Sequence, residues 1–400
     1  MKREVYLDHA ATTPMLPDVL EAMLPYLTHV YGNPSSFHSL GKNAKDAVDE
    51  ARTLIASLLH AREDEILFTS GGTESDNLAV LGYARKNQAQ GKHLITTQIE
   101  HHAVLEAMMH LEKKEGFEVT YLPPDRDGLV SAQQVEDALR PDTILVSIMS
   151  ANNEIGTIEP IAEIGNRIQK WREVHGRPAL LFHSDACQAA EYLPLDTQKL
   201  HVDMLTLNGS KIYGPKGTGL LFVKRGIKLQ PLLFGGAQER SIRPGTENVA
   251  GVVGLARALA IAQRDREGQE KRLLPLREAL IRGIQSSIPK TRLNGHPTAR
   301  LPNNVNMSFM DIEGEALILY LDEAGIYVST GSACTSASLD PSHVILALGL
   351  PYEVAHGSIR FTLGRSTTQE DMDYVIQKLP PLVAKLRALS PVNVEPKYFA

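Results

Sequence analysis

The sequence predicts an α/β fold in which helices cover both faces of a mainly parallel sheet, followed by a smaller α+β domain. Two observations lead to this prediction. From about residue 64, short apolar runs rich in β-forming residues alternate with helical patterns of ten to fifteen residues, as the crossovers of a parallel sheet require. Beyond a long helical stretch near 247–287, strands and helices follow each other without that regular alternation.

The elements can be justified in chain order. The strand-like runs of the first part are EILFT, HLITT, FEVTYL, TILVSIM, ALLFHSD, DMLTLNG and GTGLLFVK, and helical patterns such as HHAVLEAMMHLEKK lie between them. Their length and their β-branched and aromatic content are typical of buried strands. The second part contains NNVNMSF, a helix at 313–324, IYVS and GSIRFTL. Its last helix opens at Thr367 or Thr368 with acids three residues on, as in a capping box.

Composition indicates an ordinary globular protein. The 400 residues are 43% apolar, which suffices for two or three domains. A net charge of −6 with scattered basic residues argues against a nucleic-acid partner. The sequence shows no apolar run of membrane-spanning length and no signal-type segment, so we expect no membrane association. The two cysteines, Cys187 and Cys334, are too few for a cysteine-based zinc site and match a reducing compartment, so we expect a cytoplasmic protein.

Ligands of open α/β sheets lie beyond the carboxyl ends of the strands, and the residues there are chemically active types. After EILFT, the stretch SGGTESDN places Gly72 and Thr73 at the start of a helix, where backbone N–H groups attract a phosphate. A plain strand-to-helix turn with Thr73 or Ser75 as N-cap explains the same stretch equally well. It is not a P-loop, because no Gly-Lys-Ser/Thr closes it.

Asp185 and Lys211 each follow a strand. A buried carboxylate needs a cation or several donors to stay ionised, and a protonated ring nitrogen would serve. A lysine beside an apolar strand can form a Schiff base with a carbonyl, although a single lysine is usually surface charge. A phosphate seat, an acid for a pyridinium and a Schiff-base lysine are together the groups that pyridoxal phosphate requires. The set therefore predicts this cofactor.

Two further side chains fit such a pocket. His101 titrates in the physiological range and suits a stacking partner or proton carrier. Arg360, on a strand of the smaller domain, can bind a substrate carboxylate bidentately, with Arg365 as a competitor for that role and a structural ion pair as the alternative. The adjacent histidines 101 and 102 lack the spacing of a helical metal motif, so we predict no metal site.

The stretch STGSACTSAS, residues 329–338, surrounds Cys334 with small and hydroxylated side chains. Such residues are typical of a solvated loop, and a free cysteine is ordinarily a buried hydrophobe. We interpret Cys334 as a reactive thiol. Cys187, at a strand end, is most simply a small packing residue.

The motifs YLDHAATTP, GNPSS, FTSGGTESDNLA, EHHAV, ILVSIMSANNEIG, DACQA, KIYGPKG, RPGTEN, STGSACTSAS and SIRFTLGR span nearly the whole chain. Together they closely resemble the cysteine desulfurases, in the group whose long cysteine loop serves iron–sulfur assembly. The resemblance implies a fold-type I enzyme of the class V aminotransferase superfamily, with a seven-stranded type of sheet and homodimers whose active site lies at the subunit interface. It places the large domain at 15–262 and the small domain, with the cysteine loop, at 1–14 and 263–400.

The resemblance also implies a role for each matching residue. Catalysis falls to the Schiff-base Lys211, to His101 as ring-stacking acid–base residue, and to Cys334, whose thiolate takes sulfur from L-cysteine as a persulfide and leaves alanine. The implied cofactor ligands are Asp185 at the pyridine nitrogen, Gln188 at the phenolic oxygen, Asn153 near the ring, Gly72 and Thr73 at the phosphate, and Thr246 reaching the phosphate of the other subunit. The implied substrate contacts are Arg360, Asn153 and Asn33.

One stretch departs from the family. The usual Ser-x-His-Lys is here Asn208, Gly209, Ser210 and Lys211. Asn208 and Ser210 can still donate hydrogen bonds to the phosphate, but an imidazole that can carry positive charge is missing. We expect the cofactor to bind, and to bind more weakly.

Other functions fit parts of the sequence. A selenocysteine lyase or another class V lyase shares the pocket chemistry, whereas the thiol loop favours a desulfurase. A non-catalytic platform for sulfur assembly is disfavoured by the intact Lys211, Asp185 and Cys334, and a cofactor-free hydrolase using Cys334 and His101 is a third alternative. By resemblance we expect an iron–sulfur scaffold protein as sulfur acceptor, with transfer RNA thiolation as another route.

Overall fold

The computed structural model describes residues 3–331 and 340–399. The strands are β1 (Val5–Tyr6), β2 (Ile66–Thr69), β3 (His93–Thr97), β4 (Glu118–Leu122), β5 (Thr143–Ser147), β6 (Leu181–Asp185), β7 (Met204–Asn208), β8 (Gly219–Val223), β9 (Thr291–Leu293), β10 (Asn304–Phe309), β11 (Ile326–Tyr327) and β12 (Ser358–Thr362). The α-helices are α1 (Pro17–Thr28), α2 (Ser39–Leu58), α3 (Gly72–Asn77), α4 (Tyr83–Asn87), α5 (His102–Glu115), α6 (Ala132–Ala138), α7 (Ile161–His175), α8 (Thr197–Leu200), α9 (Val249–Ser287), α10 (Gly314–Glu323), α11 (His343–Ala347), α12 (Tyr352–His356) and α13 (Gln369–Leu389). A turn of π-helix, Leu78–Gly82, joins α3 to α4.

A seven-stranded sheet organises the first part of the chain, in the order β2-β8-β7-β6-β5-β3-β4. Neighbours from β7 to β4 run parallel, whereas β8 is antiparallel to both β2 and β7. All residues of β3, β5, β6 and β8 are buried, because helices cover both faces. The predicted α/β class with a mainly parallel sheet is confirmed, and each predicted strand-like run contains one strand.

The smaller sheets lie in the second part of the chain. β10 pairs antiparallel with β9 and β12, and β1 pairs parallel with β11. The N-terminal segment thereby joins the second part, since Leu7 N–H bonds to Tyr327 O and Thr362 N–H bonds to Leu7 O. The last helix, α13, opens with the predicted capping box, made by Thr368 and Asp371.

Helix α9 connects two apolar cores. Its first half, from Val249 to Ala262, packs against the large sheet. Its second half, from Leu273 to Ile284, packs against β10, β12 and α13. The predicted domain boundary at residue 262 therefore falls inside one continuous helix, and the two-domain division remains a prediction. Along the described part of the chain, no helix is both long enough and apolar enough to cross a bilayer.

Candidate active site

A cavity of about 360 Å³ opens at the carboxyl edge of the large sheet. It is lined by Ala10, Ala11, Gly72, Thr73, Asp76, His101, Met149, Ala151, Asn153, Asp185, Cys187, Gln188, Asn208, Lys211, Gly331 and Arg360. The volume lies within the range of small-molecule and cofactor sites. Parallel strands bring distant stretches of sequence to this edge, because β5, β6 and β7 all end here.

Lys211 follows β7 in a single tight turn, Gly209–Lys211. Its Nζ donates to the carbonyl oxygens of Ala10 at 2.8 Å and Ala11 at 2.6 Å. Gln188 Nε2 donates to the same Ala10 oxygen at 3.0 Å. The N-terminal segment thus holds both side chains at the cavity wall through its backbone.

Two carboxylates lie together in the cavity. Asp185 ends β6, and its Oδ1 accepts from Cys187 N–H at 2.9 Å. Asp76, on α3, is fully buried, and its Oδ1 has no hydrogen-bond partner among the described residues. Burial, reinforced by the neighbouring Asp185, raises the pKa of Asp76 well above its ordinary value. The raised pKa favours the neutral form of Asp76.

The residues predicted to bind a phosphate, Gly72 and Thr73, lie at the start of α3. A methyl group on Gly72 would lie 2.9 Å from Cys187 Sγ, so the backbone is bare at this point for reasons of space. Asn208 Oδ1 accepts from both the N–H and the Oγ of Ser210, each at 3.1 Å. A backbone N–H can only bond to the amide oxygen, so Asn208 Nδ2 faces Gly72, 3.6 Å from the position of that methyl group.

His101 caps the N-terminus of α5, since its Nδ1 accepts from Ala103 N–H at 3.1 Å. The neutral ring therefore carries its proton on Nε2. Burial lowers the pKa of His101, and Lys211 lowers it further, while Asp185 opposes the change. The lowered pKa favours the neutral form of the ring, with its proton on Nε2.

Arg360 is the cavity arginine. Its guanidinium donates to Asp8 Oδ1 at 2.9 Å and to the carbonyl oxygen of Asn153 at 3.0 Å. Its Nε is buried and has no partner among the described residues. Arg365, the predicted competitor, instead pairs with Glu191 at 2.7 Å and Asp265 at 2.9 Å and does not line the cavity.

Several residues predicted to act at the site do not line this cavity. Asn33 and Thr246 are exposed elsewhere, and Ser210 reaches the cavity only through Asn208. Cys334 lies outside the described residues. Cys187 lines the cavity wall, where burial first and then Asp185 raise the pKa of its thiol well above the ordinary value. That environment suits the packing role predicted for Cys187.

Sequence reasoning missed three contributors: Asp8, Asp76 and the backbone carbonyls of Ala10 and Ala11. Asp8 stands in the motif YLDHAATTP, but its partner Arg360 is 352 positions away. Asp76 stands in SGGTESDN together with Glu74, where acids are typical of an exposed helix surface. The contacts of a backbone carbonyl cannot be predicted from residue type, because every residue has one.

Comparison with known proteins decides the family. The family described as aminotransferase class-V matches residues 5–375. The chain belongs to the class V aminotransferase family. Its resemblance to the cysteine desulfurases of that family is also confirmed by the relatives found, two of which are named cysteine desulfurase IscS.

The relatives of this class V aminotransferase cover its full length. The protein from Methanosarcina thermophila is 54% identical over 391 residues, 98% of this chain and 95% of that one. The protein from Dictyoglomus turgidum is 50% identical over 395 residues, 99% of this chain and 98% of that one. A solved structure titled NifS-like protein has a TM-score of 0.88 at 37% identity and covers 96% of this chain and 100% of its own. Another, titled SspA in complex with cysteine, has a TM-score of 0.77 at 38% identity and covers 91% and 99%.

Proposed function

We propose that this protein is a pyridoxal phosphate-dependent cysteine desulfurase. It converts L-cysteine to L-alanine and transfers the sulfur to Cys334 as a persulfide, which then passes to acceptors for iron–sulfur cluster assembly or transfer RNA thiolation. The observation that carries the proposal is the convergence of Lys211, Asp185 and the bare helix start at Gly72 on one cavity. The chain around that cavity is half identical to proteins named cysteine desulfurase.

The cavity residues fit pyridoxal phosphate. Gly72 leaves room for an anion, and Thr73 and Asn208 Nδ2 offer donors to it. Asp185 is a buried carboxylate suited to a protonated ring nitrogen, and Gln188 suits the phenolic oxygen. Lys211 Nζ lies in the same cavity, as a covalent attachment to the aldehyde requires.

The remaining cavity residues would act on the substrate. When bound, pyridoxal phosphate supplies an electron sink that allows cysteine to lose its Cα proton. Arg360, oriented by Asp8 and by the Asn153 carbonyl, would bind the substrate carboxylate through its unpartnered Nε edge. Lys211, which lines the same cavity, would exchange protons with the substrate. His101 would stack on the ring and donate from Nε2.

Cys334 would complete the reaction. Its thiolate attacks the substrate sulfur, the S–S bond forms as the substrate Cβ–S bond breaks, and the carbon skeleton takes up protons and leaves as alanine. One cysteine and one thiol thus give one alanine and one persulfide, with no external oxidant. Substitution of Cys334 should abolish this transfer while leaving the cavity intact.

A homodimer would explain why Asn33 and Thr246 do not line the cavity that contains Lys211. Asn33 and Thr246 adjoin a second, open cavity of about 800 Å³, lined in part by Phe37 and Glu247. Apolar side chains are exposed along α1 and in the stretch after it: Leu20, Leu24, Leu27, Tyr31 and Phe37. Such a patch favours burial against a second copy, which would bring Thr246 towards the partner's phosphate. We further propose a cytoplasmic enzyme with two domains that divide near residue 262.

The test is alanine formation from L-cysteine by purified protein with added pyridoxal phosphate and a dithiol, beside the Cys334→Ala variant. The proposal predicts alanine from the native protein and none from the variant. Selenocysteine is assayed in parallel, because activity on selenocysteine that survives Cys334→Ala, without activity on cysteine, would identify a selenocysteine lyase instead. Absence of alanine from both proteins would contradict the proposal.

A further inference from the structure

Glu154 is a buried carboxylate without a role in the proposed chemistry. It is 3% exposed and does not line the cavity, although its neighbour Asn153 does. Its carboxylate contacts two residues that are far from it in sequence and close to Cys334. Ser342 Oγ donates to Glu154 Oε2, and Gly331 packs on the same oxygen so closely that a methyl group on Gly331 would overlap it.

Gly331 and Ser342 precede and follow the ten residues that contain Cys334. We propose that Glu154 is a positioning residue for sulfur transfer: one carboxylate contacts both Gly331 and Ser342, which flank the cysteine-bearing segment. This inference rests on the proposed transfer of sulfur to Cys334. In this proposal, Glu154 fixes the positions of Gly331 and Ser342, between which the cysteine-bearing segment runs.

The backbone of Glu154 is fixed from several sides, as an anchor requires. Its N–H donates to Asn152 Oδ1 at 2.8 Å, and its carbonyl oxygen accepts from Asn304 at 3.1 Å and from Asn306 at 3.2 Å. Both asparagines belong to β10, so the contact also ties the large sheet to the small one. These bonds hold the Glu154 backbone in place, so its carboxylate contacts Gly331 and Ser342 from one fixed position.

Each end of the segment is also tied to the cavity residues by a second contact. Before Gly331, Ser329 exchanges backbone hydrogen bonds with Arg360, one of them at 2.7 Å. After Ser342, the His343 ring bonds to Glu100 O at 3.0 Å, and Glu100 precedes His101. Loss of the Glu154 contact would therefore loosen the two ends without detaching them. A misplacement of about 1 Å in a reacting group can lower a rate about a hundredfold.

The reason for a bare glycine at 331 is then spatial. A side chain there would displace the Glu154 carboxylate from Ser342. Ser342 in turn caps α11, because its Oγ also accepts from Ile345 N–H. Through Ser342, the carboxylate thus also supports the first turn of α11.

The experiment compares Glu154→Ala, Glu154→Gln and Ser342→Ala in single-turnover alanine formation. Glutamine keeps an oxygen for Ser342 and removes the charge. This separates the contact from electrostatics at His101 and His102, whose pKa values are lowered chiefly by burial while Glu154 opposes the change. Glu159→Ala is the matched control, since Glu159 is equally buried and its carboxylate bonds to Val130 N–H instead. Thermal unfolding of each variant shows whether it is folded.

We expect Glu154→Ala to slow the single-turnover rate about tenfold or more, with the dissociation constant for L-cysteine within about twofold of native. Glu154→Gln and Glu159→Ala should stay within about threefold of the native rate, and Ser342→Ala should fall between. A native rate for Glu154→Ala, or a Glu154→Gln variant as slow as Glu154→Ala, would overturn the inference.

A second measurement is independent of catalysis. Hydrogen exchange of the peptides that contain 327–331 and 340–347 is followed without cofactor or substrate. The inference predicts faster exchange in Glu154→Ala and Ser342→Ala than in native protein or Glu159→Ala, and unchanged exchange would overturn it. If no protein forms alanine, the proposed function fails, and the exchange result still decides whether Glu154 anchors both ends.

Discussion

Substitution of Gly72 by alanine tests the phosphate seat most directly. The added methyl group would lie 2.9 Å from Cys187 Sγ and 3.6 Å from Asn208 Nδ2, at the start of α3. The sulfur cannot move away freely, because Cys187 is buried and its N–H is bonded to Asp185. Overpacking of this kind costs about 1–3 kcal/mol. The same methyl group would also stand between the helix start and a bound phosphate.

These two effects can be separated with Cys187→Ala, which removes the sulfur. We expect Gly72→Ala to lower the free energy of unfolding by about 1–3 kcal/mol, and the Gly72→Ala/Cys187→Ala double variant to recover most of that loss. Pyridoxal phosphate should bind about tenfold or more weakly to both proteins, because the double variant still carries the methyl group at the anion seat.

The assays are chemical unfolding and titration of the cofactor by its absorbance, with Cys187→Ala alone as the control. Tight cofactor binding by Gly72→Ala would refute the close approach of an anion to residue 72. Recovery of cofactor affinity in the double variant would show that the sulfur contact, and not the anion, requires glycine.

Three further predictions concern neighbouring residues. Asn208→Leu removes the amide that faces Gly72 with little change in volume, so cofactor affinity should fall about tenfold by absorbance titration, whereas Ser210→Ala, which only orients that amide, should cost less. Asp8→Asn weakens the charged contact that orients Arg360, so KM for L-cysteine should rise several-fold with kcat less affected, and an unchanged KM would argue against carboxylate binding by Arg360. Burial raises the pKa of Glu100 to about 8, so the native state keeps a proton that the unfolded chain releases above its ordinary pKa of 4.5. Stability should therefore be lost as pH rises from 4.5 to 8, by at most about 5 kcal/mol, and unfolding of Glu100→Gln at several pH values should lack that loss.

The large sheet was predictable because its strands are separate apolar runs. Each of the seven runs contains one strand, from Ile66–Thr69 to Gly219–Val223. The antiparallel direction of β8 was not predicted. The stretch between β7 and β8 carries a Pro-Lys-Gly turn and no crossover helix, which allows the chain to reverse beside the strand it has just left.

The candidate site was predictable where a side chain both follows a strand and has distinctive chemistry. Asp185 and Lys211 meet both conditions and lie in one cavity. Asp8 and Glu154 were not predicted, because their partners, Arg360 and Ser342, lie far from them in the sequence. The conversion of the expected serine and histidine into Asn208 and Ser210 was visible in the sequence, but only the geometry shows that one of them supports the other.

The N-terminal segment that holds Lys211 has a consequence for the order of events during synthesis. Residues 10 and 11 bind the lysine, yet their position depends on pairing of Val5 with Ile326 and of Leu7 with Thr362. Contacts of such sequence separation form late. A growing chain on the ribosome would carry a finished large sheet well before it possessed an occupied lysine pocket. The proposed Schiff-base lysine would therefore become competent only when nearly the whole polypeptide has emerged.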